Sequence, residues 1–143
     1  MSDLERPLSQ RWRDLALEHL PACAGIIAGA AGHSNLWQRL MEYLVDAAPD
    51  ESRRAELAPV FAYAWWCVTQ AEDDYLVAEV ECFFYEDLAY YTNLNILIPV
   101  YIAPGQFKRL EKAFSYLYDD EEFAAFCSWY YEQIREASSG GTQ

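Results

Sequence analysis

Apolar residues recur at helical spacing along almost the whole chain, and this periodicity constrains the fold more than any other feature. The clearest stretch follows Ser34 and Asn35, either of which is a suitable helix N-cap. Its apolar residues occupy one face of a helix with a 3.6-residue period; they are Leu36, Trp37, Leu40, Met41, Leu44, Val45 and Ala48. Such a stripe predicts an amphipathic helix with one face in the protein interior.

The same period predicts helices in most of the remaining sequence. They cover residues 9–20 (with Ser9 as N-cap), 53–71, 72–92, 106–118 and 121–137, and a short buried helix lies within 22–31. Pro21 separates the first two helices. Pro59 favours a regular start at Ala58 for the helix predicted at residues 53–71. Residues 96–102 are the one β-like window, but Pro99 argues against a central strand, so we expect an extended connector or a short helix.

Nine large apolar residues on the inward faces of these helices form the expected core: Trp37, Leu40, Leu44, Phe61, Trp65, Val80, Phe84, Phe114 and Phe126. The length of 143 residues suits one domain, and an apolar fraction of 53% is enough to bury a core. We therefore predict an all-α, single-domain bundle of about six helices with short connections over residues 1–137. A disordered tail is predicted at residues 138–143.

The four cysteines are Cys23, Cys67, Cys82 and Cys127, and no pair of them has a CxxC spacing. Cysteines spread through apolar surroundings are typical of buried free thiols in a reducing compartment, not of a secreted disulfide framework. The apolar run at residues 20–32 is shorter than the roughly 20 residues that a membrane-spanning helix needs. We therefore expect a soluble, cytoplasmic protein.

Residues that carry chemistry are scarce. The sequence contains no GxSxG, Walker, HExxH or GxGxxG motif. Its two histidines are His19 and His33, and neither follows a glutamate by three positions as in helical di-iron sites. A Cys–His site that uses His19 or His33 stays open as an alternative, because contacts in space are not visible in a sequence. Otherwise we expect no catalytic residue, no metal and no cofactor, and hence no enzyme.

The charge of the chain is strongly negative and unevenly distributed. The formal net charge is −13. Residues 55–107 contain no lysine or arginine but eight acids: Glu56, Glu72, Asp73, Asp74, Glu79, Glu81, Glu86 and Asp87. Such a chain is a poor ligand for nucleic acid or an anionic membrane, because both attract cations. A basic protein partner is the natural complement.

Three of these acids, Glu72, Glu79 and Glu86, recur every seven residues in the predicted 72–92 helix. At 100° per residue, they stay within about 40° of one another on the helix surface. No lysine or arginine is close enough in the chain to neutralise them through local helical ion pairs. The sequence therefore predicts an acidic face on this helix.

Large aromatic residues accompany these acids. Tyr75, Cys82 and Tyr90 share the acidic sector, and on the preceding helix Tyr63 and Trp66 project away from the apolar face. Aromatic side chains outside a core stripe are typical anchors of protein interfaces. The predicted partner-binding residues are therefore Glu72, Tyr75, Glu79, Glu86, Tyr63 and Trp66.

In size, in its acid-only middle stretch and in the candidate exposed aromatics, the chain resembles the small acidic immunity proteins of bacterial toxin systems. The segments at residues 62–66 (AYAWW) and 83–88 (FFYEDL) are similar to uncharacterised bacterial helical proteins found near such toxins. The class has many unrelated folds, so the resemblance implies a role and no residue-level correspondence. It implies that the protein binds a toxin domain in the producing cell and blocks its active site.

Two functions are therefore considered. The first is an immunity protein that inhibits its cognate toxin by active-site occlusion, with acids that pair with partner lysines and arginines while aromatics fill a groove. The partner is then a basic toxin domain, or one that binds an anionic substrate. The alternative is an acidic helical adaptor or secretion chaperone, which would often dimerise through an apolar helix.

Overall fold

The structure is a computed structural model that describes residues 11–91 and 93–140. Every regular element among these residues is helical and none is a strand, which confirms the all-α prediction. The chain divides into two compact units, Met1–Phe84 and Tyr85–Gln143. The grouping of residues 1–137 into one domain stays a prediction.

Within residues 11–84, the first unit contains five α-helices and two 3-10 turns. In chain order these are α1 (Trp12–His19), a 3-10 turn (Pro21–Cys23), α2 (Ala24–Gly29), α3 (His33–Ala47), a 3-10 turn (Glu51–Leu57), α4 (Ala58–Thr69) and α5 (Asp74–Val80). A π-helical segment, Glu81–Tyr85, follows α5 directly, and the boundary between the units falls inside it.

The second unit continues from that segment. It contains α6 (Glu86–Tyr90), a 3-10 turn (Asn95–Leu97), α7 (Ile98–Tyr101), α8 (Pro104–Ser115) and α9 (Asp120–Gly140). With α5, the π-helical segment and α6 counted as one run, the described part of the chain has eight helices rather than about six. The short helix expected as one alternative for residues 96–102 is α7.

The starts of two helices follow from local carboxylates. α5 begins after Asp73, whose Oδ1 accepts hydrogen bonds from the backbone N–H groups of Tyr75 and Leu76. α9 begins after Asp119, which exchanges hydrogen bonds with Glu122 in a capping box. These caps satisfy backbone donors that a helix start otherwise leaves unpaired.

The predicted cap of α3 is wrong, whereas the predicted start of α4 is confirmed. Gly32, in an extended conformation, is the N-cap of α3, so Ser34 and Asn35 lie inside the first turn. Ser34 uses its hydroxyl in a tertiary hydrogen bond instead. α4 begins at Ala58 with Pro59 in its first turn, where a missing N–H costs nothing.

The interior of the first unit lies where α5 packs against α3 and α4. Trp37 of α3 is stacked on Tyr63 at a ring-centroid distance of 5.5 Å and tilted against Phe84 at 5.0 Å. Buried neighbours on α3, α4 and α5 are Leu36, Leu40, Leu44, Val60, Ala64, Cys67, Leu76 and Val80. This packing holds the first turn of α3 beside the middle of α5.

Aromatic and aliphatic side chains together form the interior of the second unit, where α8 packs against α6 and α9. Phe107 of α8 stacks on Tyr130 of α9 at 3.9 Å, with an interplanar angle of 5°. The Tyr130 hydroxyl donates to the backbone oxygen of Ile102 at 2.6 Å, so its polar atom is satisfied inside the core.

Eight of the nine predicted core residues are buried, and Trp65 is the exception because it is only half-buried. Val45, assigned to the inward stripe of α3, is 45% exposed. The predicted short buried helix is α2, but Ile27 is its single buried residue. Helical spacing identifies the all-α class, but not the number of helices. It also does not determine how much of each helix surface a neighbouring helix buries.

The C-terminal helix is longer than predicted. α9 continues to Gly140, so residues 138–140 of the predicted disordered tail are helical. Residues 141–143 and the predicted N-cap Ser9 lie outside the described residues.

Candidate functional site

A histidine and a glutamate are buried together in the first unit. Nδ1 of His33, the first residue of α3, lies 2.9 Å from Oε1 of Glu79 in α5, although 46 residues separate them in the chain. The hydroxyl of Ser34 donates to the other carboxylate oxygen, Oε2. Glu79 is only 6% exposed, and both of its oxygens accept hydrogen bonds from the first turn of α3.

Two further donors reach the other ring nitrogen of His33. The indole Nε1 of Trp37, one turn later in α3, lies 3.2 Å from Nε2, and the hydroxyl oxygen of Tyr63 in α4 lies 3.1 Å from it. An indole N–H can only donate, so Nε2 is an unprotonated acceptor. Nδ1 then carries the ring proton and donates it to the Glu79 carboxylate, which makes His33 neutral.

Burial changes the ionisation of the groups around Glu79. It lowers the pKa of His33, and this effect exceeds the opposing influence of the Glu79 carboxylate. Burial also raises the pKa of Tyr63 far above its usual range and raises the pKa of Cys67, which is hydrogen-bonded to Tyr63, to about 12. At neutral pH the histidine, the phenol and the thiol are therefore all uncharged.

This arrangement does not supply an activated nucleophile. Cys67 is connected to His33 through Tyr63, and its raised pKa keeps the thiol protonated, whereas a catalytic cysteine needs a thiolate. The other histidine, His19, packs its ring against those of Tyr63 and Trp66 at centroid distances of 5.1 and 4.5 Å. The described residues thus give no support to the alternative of a Cys–His site.

A pocket of about 300 Å³ opens beside Glu79 on the surface of the first unit. It is lined by Ser34, Tyr75, Ala78, Glu79, Cys82 and Phe83. Most of this lining is apolar or aromatic, and the Glu79 carboxylate with its Ser34 partner forms the polar part. Cys82 and Phe83 belong to the π-helical segment, a type of helix distortion that is frequent at functional sites.

The structure contradicts the predicted acidic face. Glu79 is buried, and Glu72 precedes the helix altogether, before the N-cap Asp73. Glu86 follows the π-helical segment and lies in the second unit. The shared sector required 100° per residue throughout, and both the late helix start and the π-helical turn break that rule.

The three predicted aromatic binding residues also differ from one another in exposure. Tyr75 is 60% exposed and lines the pocket with Glu79. Tyr63 is 1% exposed, so the prediction that it projects outward is wrong: its ring stacks on Trp37 and its hydroxyl faces His33. Trp66 is half-buried against His19. The structure therefore brings Tyr75 and Glu79 together at the pocket and stacks Tyr63 on Trp66 at a ring-centroid distance of 6.2 Å, but it does not join all six predicted residues in one surface.

Sequence reasoning missed the polar partners of Glu79. His33 and Ser34 are remote from it in the chain, so no local spacing reveals the contact. One signal was available for Glu79 itself: it lies between Leu76 and Val80, which are both buried. A carboxylate on the margin of an apolar stripe is a candidate for burial with hydrogen-bonding partners.

A second surface pocket, of about 370 Å³, lies in the second unit. Tyr118, Ala125, Phe126 and Trp129 contribute to its lining together with Glu122. That carboxylate already accepts the hydrogen bond of the α9 capping box. Three of the seven lining residues are aromatic, and the one carboxylate of the pocket serves the fold.

Within residues 11–91 and 93–140, no group of three or more His, Cys, Asp and Glu side chains is placed to hold a metal ion. No helix in the same ranges has both the length and the apolar character needed to cross a bilayer. Comparison with protein-family models, curated proteins and solved structures finds no match to this chain.

Proposed function

We propose that this chain is an immunity protein, a binding protein rather than an enzyme, that inhibits a cognate bacterial toxin by covering its active site. The observation that carries the proposal is the surface around the start of α5. There Glu72, Asp74 and Tyr75 are all exposed, in a stretch of sequence without lysine or arginine. An exposed aromatic ring among carboxylates is suited to a basic protein surface.

The conformation of Glu72 adds support for a functional role at this place. Its φ angle is 53°, in the left-handed region that residues other than glycine rarely adopt. Such conformations are unfavourable and often occur where a side chain must be displayed in a particular direction. Glu72 is itself exposed, and the exposed Asp74 and Tyr75 follow it within three residues of the chain.

The proposed mechanism is occlusion assisted by electrostatic attraction. A toxin that acts on nucleic acid or nucleotides has cationic side chains in its active-site cleft, which bind phosphates. Carboxylates at the start of α5 would occupy the positions of those phosphates, and Tyr75 would fill an adjacent groove. The net charge of −13 would increase the rate of encounter with such a cleft.

The test expresses the protein encoded next to this chain's gene, both together with this chain and alone. We expect a 1:1 complex and loss of toxin activity in proportion to complex formation. A complex that leaves the toxin active would replace this proposal with the adaptor or chaperone function. Absence of any complex would overturn both.

Charge reversal locates the interface. Glu72→Lys combined with Asp74→Lys should lower the association rate about tenfold at low salt and less at high salt, because exposed charges act mainly on encounter. The matched control is Asp120→Lys with Glu121→Lys, which reverses two exposed acids in the first turn of α9. Equal effects of both double variants would show that only net charge matters.

A further inference from the structure

We propose that the pocket beside Glu79 receives one arginine side chain of the partner protein, an inference that rests on the proposed function. The pocket consists of a buried carboxylate at one side and apolar or aromatic groups elsewhere. An arginine has the same two parts: a planar cation that pairs with carboxylates, and a flexible apolar stem.

The first argument is the charge at Glu79. Because His33 is neutral, the carboxylate is stabilised by hydrogen bonds from His33 and Ser34 without a full countercharge. Among the described residues, His33 is the one basic side chain within ion-pair distance of Glu79, and a neutral imidazole supplies no positive charge. A buried carboxylate without a cation is unfavourable, and a guanidinium entering from the pocket would supply the missing countercharge.

The second argument is the remaining hydrogen-bonding capacity of the carboxylate. A carboxylate has about four acceptor positions, and the two observed hydrogen bonds use one on each oxygen. One further position on each oxygen suits the parallel N–H groups of a guanidinium. A lysine ammonium cannot make this paired contact, which favours arginine.

The third argument is the character of the other lining residues. Tyr75 and Phe83 offer ring surfaces on which a guanidinium can stack, and Ala78 leaves room for the stem. The volume of about 300 Å³ is at the lower end of ligand pockets, which suits one side chain rather than a larger ligand. The exposed acids Glu72 and Asp74 near the same helix start would attract the cation towards the pocket.

The sharpest test fills the pocket without altering Glu79. Ala78 is exposed and helical, so Ala78→Leu should preserve folding while occupying the space of the stem. We expect it to weaken toxin binding at least about tenfold, mainly through faster dissociation. Ala125→Leu is the matched control, because Ala125 is also exposed, helical and part of the lining of the second pocket. Unchanged affinity of Ala78→Leu would overturn the inference.

Removal of the charge is a second, independent test. Glu79→Gln keeps an oxygen to accept from His33 Nδ1, and its amide can donate to the Ser34 hydroxyl, so we expect a folded protein. Its affinity for the toxin should also fall at least about tenfold. Circular dichroism and thermal unfolding of both variants check that the fold is retained. A folded Glu79→Gln protein with wild-type affinity would contradict the inference.

A peptide probe makes the inference testable without the toxin. In an NMR titration with acetyl-Gly-Arg-Gly-amide, shift changes should be confined to pocket residues such as Ser34 and Phe83, and disappear in Ala78→Leu. The same peptide with citrulline, which lacks the charge, should cause no such changes. Equal responses to acetyl-Gly-Lys-Gly-amide would overturn the assignment of arginine as the occupant. Shift changes spread over the exposed acids would overturn the assignment of the pocket as the binding site. If the peptide binds in the pocket but no toxin complex forms, the proposed function is wrong and the pocket assignment stands. If a toxin complex forms but the peptide does not bind in the pocket, only the pocket assignment is wrong.

Discussion

Nδ1 of His33 donates a hydrogen bond to Oε1 of Glu79 across 2.9 Å, inside the first unit and with the imidazole neutral. The pKa of His33 is lowered from its ordinary value of 6.5 by burial. The unfolded chain therefore binds a proton at this position at pH values where the folded protein does not. Stability from this group is fully present above about pH 6.5 and is lost as the pH falls, by up to about 1.4 kcal/mol per pH unit.

Urea unfolding at pH values on both sides of the His33 transition measures this effect. Carboxylates begin to titrate at the acidic end of this range, so His33→Gln serves as the reference. The free energy of unfolding of the wild-type protein should decrease more between about pH 7 and 5.5 than that of the variant. Identical pH dependence in the two proteins would show that His33 does not titrate between folded and unfolded states.

Two residues of α3 test how far helical spacing identifies the core. Leu40 is fully buried, whereas Val45 from the same predicted stripe is 45% exposed. Leu40→Ala should cost about 2–5 kcal/mol of unfolding free energy. Val45→Ala should cost less than about 0.5 kcal/mol, because exposed side chains lose little on truncation. Denaturant unfolding of both variants measures the difference. Similar decreases in the free energy of unfolding would mean that Val45 is buried.

The backbone conformation of Glu72 leads us to expect a substitution that stabilises the protein. At φ 53° glycine avoids the steric cost that a Cβ atom imposes. Glu72→Gly should therefore increase the free energy of unfolding by about 1 kcal/mol. Ala78→Gly, inside α5, is the comparison and should decrease it by about 1 kcal/mol. A loss of stability in Glu72→Gly would mean that the residue does not adopt this conformation.

The thiols should react in an order set by burial. None of the four cysteines is in a disulfide; Cys82 is exposed, Cys127 half-buried, and Cys23 and Cys67 are buried. In the folded protein a thiol reagent should modify Cys82 first, then Cys127, whose pKa burial raises. The other two should react only after denaturation, giving four thiols without reductant. Two or fewer thiols would indicate disulfides.

Much of the fold was predictable because helical spacing is a local property. The start of α4 at Ala58 and the acidic start of α5 both follow from residues within one turn. The exposure of Trp65 and Val45 does not follow from residues within one turn, because it depends on which neighbouring helix covers each side chain. The π-helical segment was also not predictable, since a sequence pattern analysed at 100° per residue assumes a regular helix.

The candidate site was predicted only in part for the same reason. Tyr75 and Glu79 were both identified as binding residues, but as members of an exposed acidic face. The partners that bury Glu79, His33 and Ser34, are 46 and 45 residues away in the chain. Contacts over such separations depend on how α3 and α5 pack against each other, and the periodicity of either helix alone does not predict that packing.

Charge reversal at Glu79 and at Glu72 should have very different effects on folding, although the sequence pattern made the two equivalent. Glu79→Lys removes the acceptor of both His33 and Ser34 and places an ammonium group in a buried position. We expect it to lower the free energy of unfolding by about 3–5 kcal/mol. Glu72→Lys lies on the surface before the helix cap and should change it by less than about 0.5 kcal/mol. Denaturant unfolding of the two single variants tests the difference, with Glu79→Gln showing how much of the cost is due to charge. Wild-type stability of Glu79→Lys would mean that this side chain faces solvent in the folded protein.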